Sequence, residues 1–388
     1  MHKTTEHHTL TRFVIRLGIV SLFADFTYEG SHAILGSFLA KLGASPLLVG
    51  LIAGSGEMLG YGIRFLSGRY ADKTQRYWPI LVVGYAVNLL AVPALALVAT
   101  LAPAITLIFS ERLGKGLRNP SRNVILAQAG EKMGHGRAFG LHRLLDQTGA
   151  FLGPLAVAGV VAMSGYRLAF ALLLLPALLA LIQLRRAYAL APATAHHPVA
   201  PLPVRLPPLY FGYLAFAAVT VMGFAHFILF SYHLALTHRL ALPWIPVLYA
   251  LAMAASGLSA IPAGAAFDRI GLKVLYAVPL LVLASNPLVF LARSPIWICL
   301  GATLWGVALG TQGSIMRAGV TRLSKPAQRG AAYGLFDAGF GLAWMVGSIV
   351  MGGLYALAPY DLIWFASATE LLALALLSWV LRRLPATA

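Results

Sequence analysis

Apolar runs of about twenty residues, divided by short clusters of charge, proline and glycine, follow one another along the whole chain. A helix needs about 20 apolar residues to cross about 30 Å of hydrocarbon, so each run is a candidate span. The pattern predicts twelve helices, over 13–41, 46–70, 77–100, 102–126, 137–163, 166–189, 207–236, 242–267, 273–292, 295–321, 328–356 and 359–383. One stretch breaks the rhythm. Between Arg185 and Pro208 lie Arg186, His196, His197, Arg205 and the prolines Pro192, Pro198, Pro201, Pro203 and Pro207. Such a segment cannot cross lipid and reads as a linker. The predicted organisation is a tail over 1–12, a six-helix bundle over 13–189, a cytoplasmic linker over 190–206, a second bundle over 207–383 and a tail over 384–388.

Composition agrees with this pattern. Of 388 residues, 59% are hydrophobic and 11% charged, with a mean hydropathy of +0.80. A soluble domain carries about 25% charged residues, so the fold class expected is an all-α polytopic membrane protein in contact with the lipid bilayer. A single cysteine, Cys299, allows no internal disulfide. Residues 1–11 are polar and lack the short apolar stretch of a removable signal. The net charge of +17 raises nucleic acid as a partner, but the basic residues are scattered between apolar runs and form no wet face. With the N-terminus inside, the outer loops receive only Lys41, Arg167, Arg239 and Arg293. The positive-inside rule then places both termini and the linker in the cytoplasm.

The two halves repeat. Gly68-Arg69-Tyr70-Ala71-Asp72-Lys73 follows span 2, and Gly264-Ala265-Ala266-Phe267-Asp268-Arg269 follows span 8; the aspartates are 196 residues apart. Gly136-Arg137-Ala138-Phe139-Gly140-Leu141 opens span 5, and Gly330-Ala331-Ala332-Tyr333-Gly334-Leu335 opens span 11, an offset of 194. A duplicated six-helix unit points to alternating access.

On these residues the chain resembles the major facilitator superfamily, which implies twelve transmembrane helices in two pseudo-symmetric six-helix bundles. Gly68, Asp72, Lys73 and Arg76 look like its signature between spans 2 and 3, with Gly264, Asp268 and Arg269 as the second-half copy. In that family the aspartate pairs with basic residues and gates one access state. In span 5, Gly140, Gly149, Gly153 and Pro154 have the spacing of a helix-bend motif in proton-coupled drug antiporters. That pattern continues with two glycines, where this chain has Val157 and Ala158. Glu111-Arg112-Leu113-Gly114-Lys115-Gly116 resembles the span 4 motif whose arginine is tied to proton coupling, and Arg112 matches it. The following Leu117-Arg118-Asn119-Pro120-Ser121-Arg122 looks like a run in a bacterial subfamily of exporters. The resemblance implies a monomer in a bacterial inner membrane.

Acidic residues are scarce, and most fall inside spans. Of twelve, only Glu6, Glu131 and Asp361 are left for ordinary surface once the loop aspartates are set aside. An ionisable group at membrane depth costs at least about 2.5 kcal/mol, so each should face a partner or a cavity. Asp25, Glu29 and His32 share one face of span 1. Two carboxylates one turn apart resist ionising together, which is what a proton carrier requires; with His32 they are also a candidate metal site. Arg112, Lys115, Arg118 and Arg122 form a stripe on span 4 that should meet carboxylates of span 1 or 5. Asp146, near His142 and Arg143, reads as a partner for span 4 or a second proton site. His226, Phe230 and His233, with neighbouring aromatics, suit a cavity wall for an amphipathic organic solute; Glu57, Arg64 and Asp337 are further cavity candidates. The histidines at 2, 7, 8, 196 and 197 read as solvated.

No nucleotide-binding or hydrolytic motif is present in the sequence. The reading is not an enzyme but a secondary transporter without a cofactor, with a proton gradient driving efflux of a small amphipathic compound. A metal or chelate exporter, a lipid flippase and a sensor of the same fold stand as alternatives.

Overall fold

The computed structural model describes residues 2–191, 206–325 and 328–384. The elements are α1 (His2–Lys41), α2 (Pro46–Thr74), α3 (Tyr77–Ala94), α4 (Leu101–Met133), α5 (His135–Leu172), α6 (Leu174–Tyr188), α7 (Pro208–Gly223), α8 (Phe227–Thr237), α9 (Trp244–Ile270), α10 (Ala277–Phe290), α11 (Pro295–Leu323), α12 (Arg329–Leu357) and α13 (Pro359–Arg383). Short 3-10 turns occupy Leu95–Leu97 and Gly271–Tyr276, and no strand occurs among the described residues.

Eight continuous helical stretches are long and apolar enough to cross a bilayer. Two are too long for one crossing. Gly136–Tyr188, of 53 residues, leaves helical geometry at Gly165, with φ 75° and ψ −170°. Trp244–Phe290, of 47 residues, turns at Gly271, with φ 62°. Both conformations are open to glycine and strained for other residues. Each stretch therefore supplies two spans, and with α1 and α4 the described residues provide twelve. The chain is an all-α polytopic membrane protein.

The structure redraws several expected boundaries. The third span ends in a 3-10 turn, and the ninth begins in one. The fourth continues to Met133. The seventh is two helices, α7 and α8, parted at Phe224–His226.

Two compact units emerge, Met1–Ile34 with Leu59–Val199, and Leu35–Met58 with Ala200–Ala388. The division falls inside α1 and α2. The predicted linker lies almost wholly outside the described residues. In the first unit, Phe13, Leu17 and Val20 of α1 share a core with Tyr85 and Leu89 of α3, Leu126 of α4 and Ala177, Ala180 and Leu184 of α6. Glycine sets the tightest approaches. A Cβ on Gly84 would sit 2.7 Å from the Arg118 backbone nitrogen, so α3 and α4 touch backbone to backbone. Gly149 and Gly153 of α5 lie against the Leu22 and Phe26 carbonyls of α1 in the same way.

The second unit carries a counterpart of that seam. Gly347 of α12 abuts the Met222 carbonyl of α7. Gly347 lies 194 residues beyond Gly153, and Met222 lies 196 beyond Phe26, the two offsets of the sequence repeat. The duplication therefore extends to individual contacts. Aromatic rings fill the unit: Phe227, Phe230 and Trp305 pack together, with Phe224 on Trp305 and Trp344, and Phe230 on Phe290.

Candidate functional site

The α1 and α4 stripes meet in register inside the first unit. Running up α1 while descending α4, Asp25 faces Arg118, Tyr28 and Glu29 face Lys115, and His32 faces Arg112. A spacing of three to four residues on both helices is what lets the two rows match.

The lower part of this ladder is a carboxyl pair held by three arginines. Arg118 is 0% exposed; its Nη2 lies 3.6 Å from Asp25 Oδ1 and its guanidinium sits 4.4 Å over the Tyr85 ring. The Asp146 carboxyl of α5 lies beside that of Asp25, close enough for the two groups to interact. Two adjacent carboxyl groups resist ionising together, which favours one proton on the pair. Arg143 Nη1 donates to Asp146 Oδ2 at 2.9 Å, and Arg122 Nη1 lies 4.0 Å from Asp146 Oδ1. His142 Nε2 is 2.8 Å from Ser21 Oγ, one turn from the carboxyl pair on both helices.

The upper part is cationic and aromatic. Arg112 bonds the Tyr28 hydroxyl and the His32 ring, and its Nε lies 3.5 Å from Glu111 Oε2. Lys115 Nζ stands 3.2 Å from the Tyr28 ring centroid, and that ring stacks on His32. Glu111 is fixed by Asn88 of α3, whose Nδ2 donates to Oε1 at 2.7 Å. Gly114 and Gly116 flank Lys115 and press against Asn88 of α3 and Ile63 of α2, so α4 has no room to shift its basic row.

Asp25, Glu29 and His32 do share a helix face, but no three His, Cys, Asp or Glu side chains converge on a metal-sized site among the described residues. The His32 ring is turned to Arg112, and Asp25 to Arg118 and Asp146.

The other predicted residues lie elsewhere. In the second unit His226 caps the start of α8, its Nδ1 accepting from the Ile228 backbone at 3.3 Å, and its Nε2 is 3.5 Å from Glu57 Oε1. His233 Nδ1 is 2.7 Å from the Tyr355 hydroxyl. Phe230 is fully buried in the aromatic core, so it packs that core and lines no open wall. Asp337 Oδ1 takes Arg317 at 3.3 Å. Arg64 stacks on Tyr61. Asp72, in the last turn of α2, accepts from the Tyr77 hydroxyl at 3.0 Å, while Lys73 and Arg76 are exposed. Gly68 touches Pro120 at ordinary distance, Gly264 and Gly140 meet nothing nearby, and Asp268 and Arg269 are exposed at the end of α9. Pro154 lies within α5, whose non-helical residue is Gly165. Tyr28, Tyr85, Asn88 and Ser21 were missed in the sequence, since nothing local marks an aromatic or amide as a partner of a distant charge.

A multi-pass helical protein with a ladder of paired charges inside its spans, and with the same contacts repeated in its second half, has the build of a transporter. The family model of the Major Facilitator Superfamily matches residues 17–256 and 238–388, and the chain belongs to that family. It is a transporter of that type. The chain is 38% identical over 388 residues to an uncharacterized protein of Mycobacterium tuberculosis (strain ATCC 25618 / H37Rv), covering 97% of this chain and 94% of the relative. An uncharacterized MFS-type transporter of Methanocaldococcus jannaschii is 29% identical over 154 residues, 39% of this chain and 38% of the relative. Among solved structures, the nucleoside transporter NupG superposes with a TM-score of 0.73 at 15% identity, covering 95% of this chain and 98% of that one. The peptide transporter POT in complex with sulfate gives 0.74 at 16% identity, with 96% and 94% covered. These structures share the fold.

Proposed function

We propose that the protein is a proton-coupled secondary transporter that exports a small amphipathic organic compound by alternating access. The observation that carries this reading is the Asp25–Asp146 carboxyl pair among Arg118, Arg122 and Arg143. Loss of its single proton leaves two like charges in contact, which repel. The pair lies between α1 and α5 one turn from Gly149, where those helices touch without side chains between them. A change of proton occupancy therefore acts directly across that seam. Arg118 then pairs more closely with Asp25, and Arg122 and Arg143 with Asp146, so a proton is exchanged for a new set of ion pairs.

Organic solutes are what NupG and POT are named for, which favours an organic cargo over a metal. The Tyr28–Lys115–Arg112 corner offers aromatic and cationic contacts to such a solute. The protein works as a monomer in a bacterial inner membrane with both termini in the cytoplasm, in keeping with the bias of Lys and Arg toward inner loops.

The test has two stages. A thermal-shift screen of organic amphiphiles, nucleosides and short peptides identifies a solute, because ligand binding raises stability by mass action. Proteoliposomes loaded with a pH-sensitive dye then report proton flux when that solute is added. Flux should disappear in Asp25→Asn/Asp146→Asn while solute-dependent stabilisation persists. Normal coupled flux in the double variant would overturn the assignment.

A further inference from the structure

The second unit holds a carboxyl group that the reading above does not use. Glu370 sits in the middle of α13, is 0% exposed, and neither of its side-chain oxygens has a hydrogen-bond partner among the described residues. Its surroundings are a broken helix. Span seven parts at Phe224–His226, and the carbonyls freed there are taken up by side chains from other helices. Asn286 Nδ2 of α10 donates to the Gly223 carbonyl at 3.1 Å, and Trp305 Nε1 of α11 donates to the Ala225 carbonyl at 2.9 Å. Glu370 lies at the same place: a Cβ on Gly223 would be 2.9 Å from Glu370 Oε1. The Asn286 Oδ1 atom is also buried without a partner.

Among the described residues no ionisable neighbour answers Glu370. Helix α13 packs on α7, α10, α12 and the 3-10 turn at Gly271–Tyr276. On α7, Tyr210 and Tyr213 donate to the Ala332 and Met316 carbonyls. On α12, Asp337 pairs with Arg317, Tyr333 donates to the Arg317 carbonyl, Tyr355 meets His233, and Arg329 stands at the first turn. Helix α10 carries no ionisable residue, and in the 3-10 turn Tyr276 meets Ser378 while Lys273 is exposed. On α13 itself, Asp361 is in the first turn and Arg382 and Arg383 in the last.

We infer that Glu370 is a buried proton-binding site at the α7–α8 break, occupied by a proton in this conformation. An ionised carboxylate in this position would have neither a cation nor a hydrogen-bond donor to offset its desolvation, so the neutral acid is the form that fits. Glutamine would fill the same space without titrating. The carboxyl makes no bond that packing needs, and what distinguishes it from the amide is its proton. Because α7, α10 and α13 enclose it, the proton leaves only when those helices move apart at the break, so its release reports a rearrangement of the second unit.

Infrared spectroscopy of the full-length protein in proteoliposomes tests this directly through the carbonyl stretch of protonated carboxyl groups. At neutral pH the wild type should show a buried-carboxyl band that is unchanged by sodium and lost in Glu370→Gln. The same band should persist in Asp25→Asn/Asp146→Asn, which separates this site from the carboxyl pair of the first unit. If Glu370→Gln does not fold, 13C labelling of glutamate in the wild type should shift the band, and Glu370→Asp should lose the shifted component. A band identical in Glu370→Gln and wild type overturns the inference. So does a Glu370 band that vanishes on adding sodium, which would make the group an alkali-cation ligand.

Discussion

The carboxyl pair makes an asymmetric prediction: replacing Asp25 by asparagine should leave stability nearly unchanged, while the same change at Asp146 should be costly. With one proton on the Asp25–Asp146 pair, the arginines decide its place. Asp25 has Arg118 at 3.6 Å, and Asp146 has Arg122 at 4.0 Å. At an effective dielectric of about 20, a unit pair at either distance is worth about 4–5 kcal/mol, so these two nearly cancel. Arg143 breaks the tie from 2.9 Å, on Asp146. Its side chain is 65% exposed, so solvent reduces its share to about 1 kcal/mol. Less the roughly 0.5 kcal/mol by which the nearer Arg118 favours charge on Asp25, that leaves charge on Asp146 and the proton on Asp25 favoured by about two- to threefold. Asparagine at 25 then imitates the acid already present, and the expected loss is under about 1 kcal/mol. Asparagine at 146 strips Arg122 of its partner and should cost about 3 kcal/mol, the low end for breaking a buried pair, because Arg143 can turn to water. Chemical unfolding of the two purified variants in detergent, beside Arg143→Ala, measures the difference. Equal losses, or a larger loss at Asp25, would refute the placement of the proton.

Gly153→Leu should lower stability by about 1–3 kcal/mol through overpacking against the Phe26 backbone, and Gly347→Leu should do so against Met222; thermal melts of both variants check this. Trp305→Phe keeps most of the ring packing but loses the bond to the Ala225 carbonyl, and should cost about 1–3 kcal/mol in an unfolding titration. Adding zinc, or a chelator, should leave the thermal midpoint unchanged in wild type and in His32→Ala; a zinc-dependent rise lost in His32→Ala would restore the metal reading.

Elements governed by local composition were legible in the sequence. Apolar runs marked the spans because lipid imposes the same requirement on each, and Gly165 lies where spans five and six were divided. The break in the seventh span was not legible. No proline lies there, and its cause is long-range: Asn286 and Trp305 offer the freed carbonyls new donors. The stripes on α1 and α4 were legible from their spacing, but their register was not. Periodicity says which residues share a face, not which residue across the gap each one meets. The meeting of Asp25 with Asp146, and of Glu57 with His226, joins residues more than a hundred positions apart. A shared helix face likewise does not say where its side chains turn: His32 meets Arg112.

The contacts of Gly149 and Gly153 with α1, and of Gly347 with α7, bear on rate as well as stability. A joint between interlocked side chains resists motion because every rotamer must leave one notch and find another. Backbone bearing on backbone has no notches, so one helix can roll over the other with little friction. Large side chains placed on these surfaces should slow turnover even where the protein still folds and still binds its cargo.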